Sequence, residues 1–406
     1  MPSTLTTCLE HTAPAFKAIV LCCYAVLLPA CDWFTDDDDK EGVRVAWSHP
    51  KAVPHDHSVQ PVVEDGQAYA AFDGALRAYD ARSGRLVWST TYGDVLPPGR
   101  NLPHDGGPDG TLYLELRGEV RAYSKADGAL KWRASLADFP GVGLREMAHD
   151  DEHLYVAGRG AVQQVRKADG ALGRRFSLEG VAPQGTAELV YDPAVSNDGL
   201  LYVPTAWESE DTGIHGAVYC LDVFTGQEVW RYVPPPRQLQ NPPYEPYWVG
   251  VGGSGADVLG DRVFVTTTSQ VIAFDRTNGE VMWSFDAPAG SGGFWVRPTA
   301  AGDGVYAGAV TQRVYKFDAD TGEIEWVRVL DGSVTPTITL MDGRVYFTNA
   351  AWGEVWIVDD GSGDVVWKGL PPEHEKNDAI YLSPLGVGEE SMMVVGNKAV
   401  YGLTRP

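Results

Sequence analysis

Val271–Trp283 reads VIAFDRTNGEVMW: an apolar run, a polar turn closed by Gly279, a second short run, and a tryptophan four residues beyond the glycine. The order Asp-x-x-Asn-Gly is turn chemistry. An aspartate carboxylate accepts from backbone N–H groups a residue or two ahead, and glycine tolerates positive φ. Two β-prone runs joined by such a turn make a hairpin. The same shape recurs at Ala78–Trp88 (AYDARSGRLVW), Ala122–Trp132 (AYSKADGALKW), Cys220–Trp230, Val314–Trp326 (VYKFDADTGEIEW) and Ile357–Trp367. A hairpin repeated at a spacing of about 40 residues marks an array of four-stranded units.

Each tryptophan offers a broad apolar face to a neighbouring sheet and keeps an N–H for one hydrogen bond. Trp47, Trp88, Trp132, Trp230, Trp283, Trp326 and Trp367 therefore read as docking residues between units. Arg174 stands in that place in the third unit, which predicts the weakest joint there. The last segment, 388–406, supplies two strands (MMVVG, AVYGL) but no docking tryptophan, whereas Val43–Trp47 carries one with no earlier unit to serve. Joining the two ends completes a blade. The expectation is an all-β protein: an eight-bladed β-propeller of four-stranded antiparallel blades over residues 43–406, its ring closed by the N-terminal strand. Closure of this kind leaves no open edge within the ring.

The pattern Ala-x-Asp-x-x-(Thr/Ser/Asn)-Gly-x-x-x-Trp, met in full at Ala78/Asp80/Gly84/Trp88 and Ala273/Asp275/Gly279/Trp283, resembles the tryptophan-docking repeat of the PQQ-like (pyrrolo-quinoline quinone repeat) β-propellers. Asp222/Gly226/Trp230 and Asp318/Gly322/Trp326 match in part, with Cys220 and Lys316 at the alanine place. That family includes quinoprotein dehydrogenases and the BamB-like lipoproteins of outer-membrane β-barrel assembly. The match runs over nearly all of the chain after residue 43 and specifies the fold, which hosts many activities.

Composition bounds the rest. The chain has 406 residues, 46 glycines, 13 tryptophans and a net charge of −23. A balance this acidic repels nucleic acid and anionic lipid surfaces, so no nucleic-acid partner is expected. Cys8, Cys22, Cys23 and Cys31 fall in the first 31 residues, and Cys220 alone lies in the repeat region, where it reads as a small buried hydrophobe.

Residues 1–30 read as a lipoprotein signal peptide. Lys17 precedes an apolar core, Ala18–Leu28, too short for the roughly 20 residues of a membrane-spanning helix. Leu28-Pro29-Ala30-Cys31 resembles a lipobox, with Cys31 as the lipidated residue, and residues 31–42 (CDWFTDDDDKEG) form an acidic, disordered tether. The expected setting is the bacterial cell envelope, lipid-anchored with the propeller in the periplasm.

Two intervals exceed the period: Ala206–Gly216, and Val233–Asp257 (VPPPRQLQNPPYEPYWVGVGGSGAD). The second is read as a stiff aromatic loop, with Tyr244, Tyr247 and Trp248 as candidate partner-binding residues. Other patterns read as architecture. Gly250-x-Gly252-x-x-Gly255 fits a dinucleotide fingerprint but precedes a strand, not a helix. Asp318–Glu323 starts like a calcium loop yet occupies the repeat's turn. His49, His55, His57 and His104 lack a second ligand cluster at a metal-site spacing.

The resemblance implies, for the enzymes, a vicinal disulfide beside the quinone and acidic and amide ligands for calcium. Here the adjacent cysteines Cys22 and Cys23 lie in the signal. The reading is therefore a non-catalytic envelope lipoprotein with no catalytic residues, metal or cofactor. It would serve as a scaffold for other envelope proteins, the outer-membrane assembly machinery among them. The alternatives are a PQQ-binding quinoprotein or dehydrogenase relative, and a sensor of a small ligand or cell-wall carbohydrate.

Overall fold

The computed structural model describes residues 42–406 apart from, chiefly, 53–58, 94–101, 107–109, 140–146, 179–187 (Ala182 aside), 210–212, 250–252, 289–293, 335–337, 350–353 and 370–384, with a few positions between strands. Cys31, His55 and His57 lie outside the described residues. Gly42–Pro406 is one compact unit.

Eight antiparallel sheets follow one another around a ring, and no helix occurs among the described residues. The first is Val62–Glu64, Gln67–Phe72, Ala75–Asp80 and Leu86–Thr91, paired in that order from the inside out. The eighth is built from both ends of the chain: Val45–Pro50 pairs with Ala399–Thr404, with Trp47 opposite Gly402 and His49 opposite Val400. The N-terminal strand thus closes the ring. Two sheets depart from the four-stranded rule. The second has three strands, its inner position marked by the bridge between His104 and Leu112. The fourth has seven.

Strand direction alternates, so each blade's first and last turns fall on one face, the turn face. The middle turns and the connections between blades fall on the other, the loop face. At the turn face the repeat's chemistry is visible in detail. The Asp275 carboxylate accepts from the N–H groups of Thr277 (2.8 Å) and Asn278 (3.2 Å), and the Gly279 N–H donates to the Asp275 carbonyl at 2.9 Å. The Asp318–Glu323 segment makes the same turn, with Asp318 Oδ1 accepting from Thr321.

This turn is what the previous blade's tryptophan covers. Trp283 lies against the Gly322 turn and donates Nε1–H to the Ala319 carbonyl at 3.0 Å. Trp47, Trp88, Trp132, Trp230 and Trp326 do the same on the carbonyls of Ala81, Lys125, Lys167, Arg276 and Asp360, at 2.8–2.9 Å. Glycine is required twice over: φ at Gly322 is +73°, and a Cβ there would stand 2.5 Å from the Trp283 ring.

Two positions differ from the repeat. Arg174 lays its guanidinium over Gly226 and donates to the Phe224 carbonyl at 3.1 Å. A flat cationic group therefore fills the indole's place and makes the same kind of bond. Trp367 has no glycine turn to cover, because the eighth blade's outer strand comes from residues 45–50 and not from a hairpin with Ala399–Thr404. It packs beside Gly42, where an added Cβ would meet its ring at 3.9 Å and Pro406 at 3.0 Å. It also packs against the apolar cluster shared by the seventh and eighth blades.

The core is divided to match. Eight apolar clusters each lie between neighbouring blades, such as Phe264, Val271, Val305 and Phe317 between the fifth and sixth. Stability is then a sum of joints. Trp283→Ala is expected to cost about 3 kcal/mol, the low end for aromatic truncation because the residue is only partly buried. Gly322→Ala should weaken the same joint from the other side. Urea unfolding measures both, and midpoints equal to wild type would refute the docking role.

Candidate functional site

On the loop face, the regular ring is interrupted in the fourth blade. Its middle strands, Leu200–Ser209 and Gly213–Asp222, are ten residues each, against five or six in most other blades. Its outer strand, Glu228–Tyr232, pairs only with residues 218–221, so the hairpin runs on beyond it. There Ile214 pairs in parallel with Val249, which belongs to a second hairpin formed by Arg237–Asn241 and Tyr244–Val249. The expected aromatic loop over 233–257 is therefore corrected. Its middle is a hairpin, and its end, Gly253–Leu259, is the inner strand of the fifth blade. The two long intervals are one sheet.

Prolines hid this from the sequence, since they read as strand breakers. Pro246 is accommodated beside a register irregularity between Leu239 and Asn241. Tyr244, Tyr247 and Trp248 sit on the second strand of this hairpin, with Tyr247 opposite Leu239 and Trp248 opposite Gln238. Their side-chain placement lies outside the described residues. At the base of the sheet Trp207 is buried and stacks on His215, with centroids 5.8 Å apart.

On the turn face, the inner rim of the first three blades carries a chain of alternating charges. Lys125, with a fully buried side chain, gives its ammonium to the Glu64 carboxylate and to the Asp105 carbonyl (2.5 Å). The Lys167 ammonium, 8% exposed, binds the Asp105 carboxylate at 2.9 Å and lies 3.3 Å from His149 Nδ1. His104 Nε2 stands 3.2 Å from Glu64, and the Tyr113 hydroxyl donates to Asp105 at 2.6 Å. Burial would raise the Asp105 carboxyl. The Tyr113 hydroxyl and the Lys167 ammonium outweigh it and hold the group below the usual carboxylate range. Burial, then Lys125, push the His104 imidazole below its ordinary value against the pull of Glu64.

The remaining candidates are structural. His49 Nε2 donates to the Gly84 carbonyl at 2.7 Å and so pins the closing strand to the first blade. Gly255 lies on an inner strand where a Cβ would meet Arg297 at 2.9 Å, which explains the glycine without a phosphate. Cys220 is buried opposite Trp230, and burial pushes its thiol up to about 12. Sequence reasoning missed the charge chain and the tyrosines of the second strands. Tyr69, Tyr113, Tyr202 and Tyr306 each pack within 5.8–6.1 Å, centroid to centroid, of their own blade's tryptophan. Their recurrence upstream of each tryptophan was the available signal.

Comparison with known proteins agrees with this architecture. The model of the family described as outer membrane protein assembly factor BamB matches residues 73–369. BamB from Moraxella catarrhalis superposes with a TM-score of 0.63 at 17% identity, covering 89% of this chain and 99% of that one. Quinohemoprotein alcohol dehydrogenase from Comamonas testosteroni gives 0.64 at 12%, over 89% and 76%. Among curated relatives, quinoprotein ethanol dehydrogenase of Pseudomonas putida is 30% identical over 151 residues, 33% of this chain and 22% of its own. The chain thus spans about a quarter of the length of the curated relatives it matches.

The charge chain makes its own prediction. Glu64→Gln leaves the buried Lys125 ammonium with carbonyl and dipolar partners alone, and is expected to cost up to about 3 kcal/mol. Glu64→Gln with Lys125→Met removes both charges and should restore most of the loss. Unfolding midpoints of the two variants check this, and an equal loss in both would show that packing, not charge, is at stake.

Proposed function

We propose that this chain, which belongs to the family of the outer membrane protein assembly factor BamB, is a non-catalytic scaffold of the bacterial cell envelope that binds other proteins through its loop face. One observation carries the reading. In a ring whose blades otherwise repeat, the two aperiodic insertions pair through Ile214 and Val249 into a single sheet extending past its own blade. A propeller needs no such sheet for closure, and irregular additions on a rigid scaffold are where binding usually resides. Aromatic residues are the usual anchors of interfaces because they bury much area with few rotors. Tyr247 and Trp248 are consecutive on one strand of that hairpin.

The tagged chain should retain a discrete partner from envelope extracts, and Tyr247→Ala with Trp248→Ala should lose it while the melting temperature moves by less than about 2 °C. A large fall in melting temperature with undiminished partner recovery would make the hairpin architecture instead.

Anchorage belongs to the same proposal. Lipidation at Cys31 would tie the propeller to a membrane through the acidic tether. Cys31→Ser is expected to move the protein from the membrane fraction to the soluble periplasmic fraction. Retention of the cleaved variant on membranes would exclude Cys31 as the anchor.

A further inference from the structure

One polar bond recurs at every joint of the ring but one. Trp47, Trp88, Trp132, Trp230, Trp283 and Trp326, and Arg174 in the third blade, each donate from an outer strand to a turn carbonyl of the next blade. Trp367, partly buried on the outer strand of the seventh blade, has no acceptor for its N–H among the described residues.

The register of the eighth blade explains the gap. The Thr404 N–H donates to the Arg44 carbonyl at 2.9 Å, as the Asp275 N–H does to Glu280 at 2.8 Å. The same bulge precedes both: Gly402 faces Trp47 and Leu403 faces Val45, as Ala273 faces Trp283 and Phe274 faces Val281. Arg405 and Pro406 therefore stand where Arg276 and Thr277 begin a regular turn, and Gly42 and Val43 where Asn278 and Gly279 end one. Two segments that do not follow each other in sequence share the turn. Thr404 Oγ1 holds the Arg44 N–H at 2.9 Å from the aspartate's position, and a valine occupies the place of the glycine.

The polar ties that cross this joint are of another kind. Arg405 reaches back to the seventh blade, with Nε donating to the Tyr346 hydroxyl at 3.1 Å and Nη2 to Asp342 at 2.8 Å. Arg344 donates to the Pro406 carbonyl at 2.8 Å. The Asp342 side chain is 73% exposed. Together with Glu389 and Glu390, these charged groups line an open recess of about 370 Å³. Water competes for ties in such a setting, so exposed ion pairs hold weakly. The apolar cluster beneath, with Tyr346, Ile357, Met392 and Leu403, is like those of the other joints and does not offset the difference.

We infer that the ring opens at the joint between its seventh and eighth blades, where Arg405 acts as a latch in place of an indole bond. Opening begins where shielded contacts are fewest. A blade uncovered on one side loses half of its packing, so its strands then fray. Gly42 lies in this joint, so a pull on the chain ahead of it acts on the latch before any other joint. The inference concerns conformation alone and is independent of the scaffold role.

Hydrogen exchange of the full chain, read by mass spectrometry, tests the order of opening. Arg344–Thr348, Val355–Asp359 and Ser391–Val395 should exchange about tenfold faster than Arg262–Thr267, Gln270–Asp275 and Gly304–Ala309 in the fifth and sixth blades. Equal protection in the two sets would overturn the inference. Arg405→Met keeps an apolar stem without the guanidinium, and is expected to speed exchange in the first set about tenfold more while leaving the second unchanged. An even rise around the ring, or none, would show that Arg405 is no latch. If that variant does not fold, Asp342→Asn removes only the exposed partner and should shift the same strands by a smaller factor. Trp367→Phe beside Trp283→Phe checks the missing bond. The urea midpoint should hold in the first and fall in the second, and equal falls would refute an unbonded N–H at Trp367.

Discussion

The structure depends on a flat side chain from one blade lying on a glycine turn of the next, with one N–H aimed at a carbonyl. The contact explains why the turn is built as it is. A side chain at Gly322 would collide with the Trp283 ring, and the Asp318 carboxylate is needed to hold the turn's N–H groups so that the Ala319 carbonyl faces outward to accept. Arg174 shows what the joint requires. Its guanidinium is planar, lies over Gly226 and donates to the Phe224 carbonyl, so it keeps the flatness and the directed donor of the indole. Guanidinium stacking of this sort is a known property of arginine.

A ring of such joints needs an end condition. Trp47 supplies it by covering the Gly84 turn of the first blade while lying beside Gly402 of the last. One residue therefore takes part in both the closing blade and its joint with the next. Trp367, arriving from the other side, finds Gly42 beside Pro406 in place of a glycine turn. The seam thus has its own geometry, and Arg405 reinforces it by reaching Gly388, Glu389 and Asp342 in neighbouring turns.

Much of this was legible because a local rule repeats. Turn residues, a small residue opposite the tryptophan and the tryptophan itself sit within one hairpin, so period alone predicts the blade count and the closure. Features that depend on register between distant strands were not legible. Glu64 meets Lys125, and Asp105 meets Lys167, across about 60 residues, and nothing local marks either lysine as buried. The hairpin at 237–249 failed for another reason. Its prolines argue against a strand, and only the extended edge of Gly213–Asp222 gives it somewhere to pair.

Charge divides the two faces by role. The turn face is dense in carboxylates, but the repeat spends them: Asp80, Asp222, Asp275, Asp318 and Asp359 accept backbone N–H groups, and burial-opposing hydrogen bonds keep each carboxyl below its ordinary value. Glu64 and Asp105 are spent on lysines in the same way. A surface whose donors and acceptors are satisfied internally has little free energy to offer a ligand. The loop face is built differently. Among the described residues its aperiodic sheet is not needed to close the ring, and it carries three aromatic residues on a single strand. Under the proposed scaffold role recognition would sit on the sheet, where the hairpin could vary without disturbing any joint of the propeller.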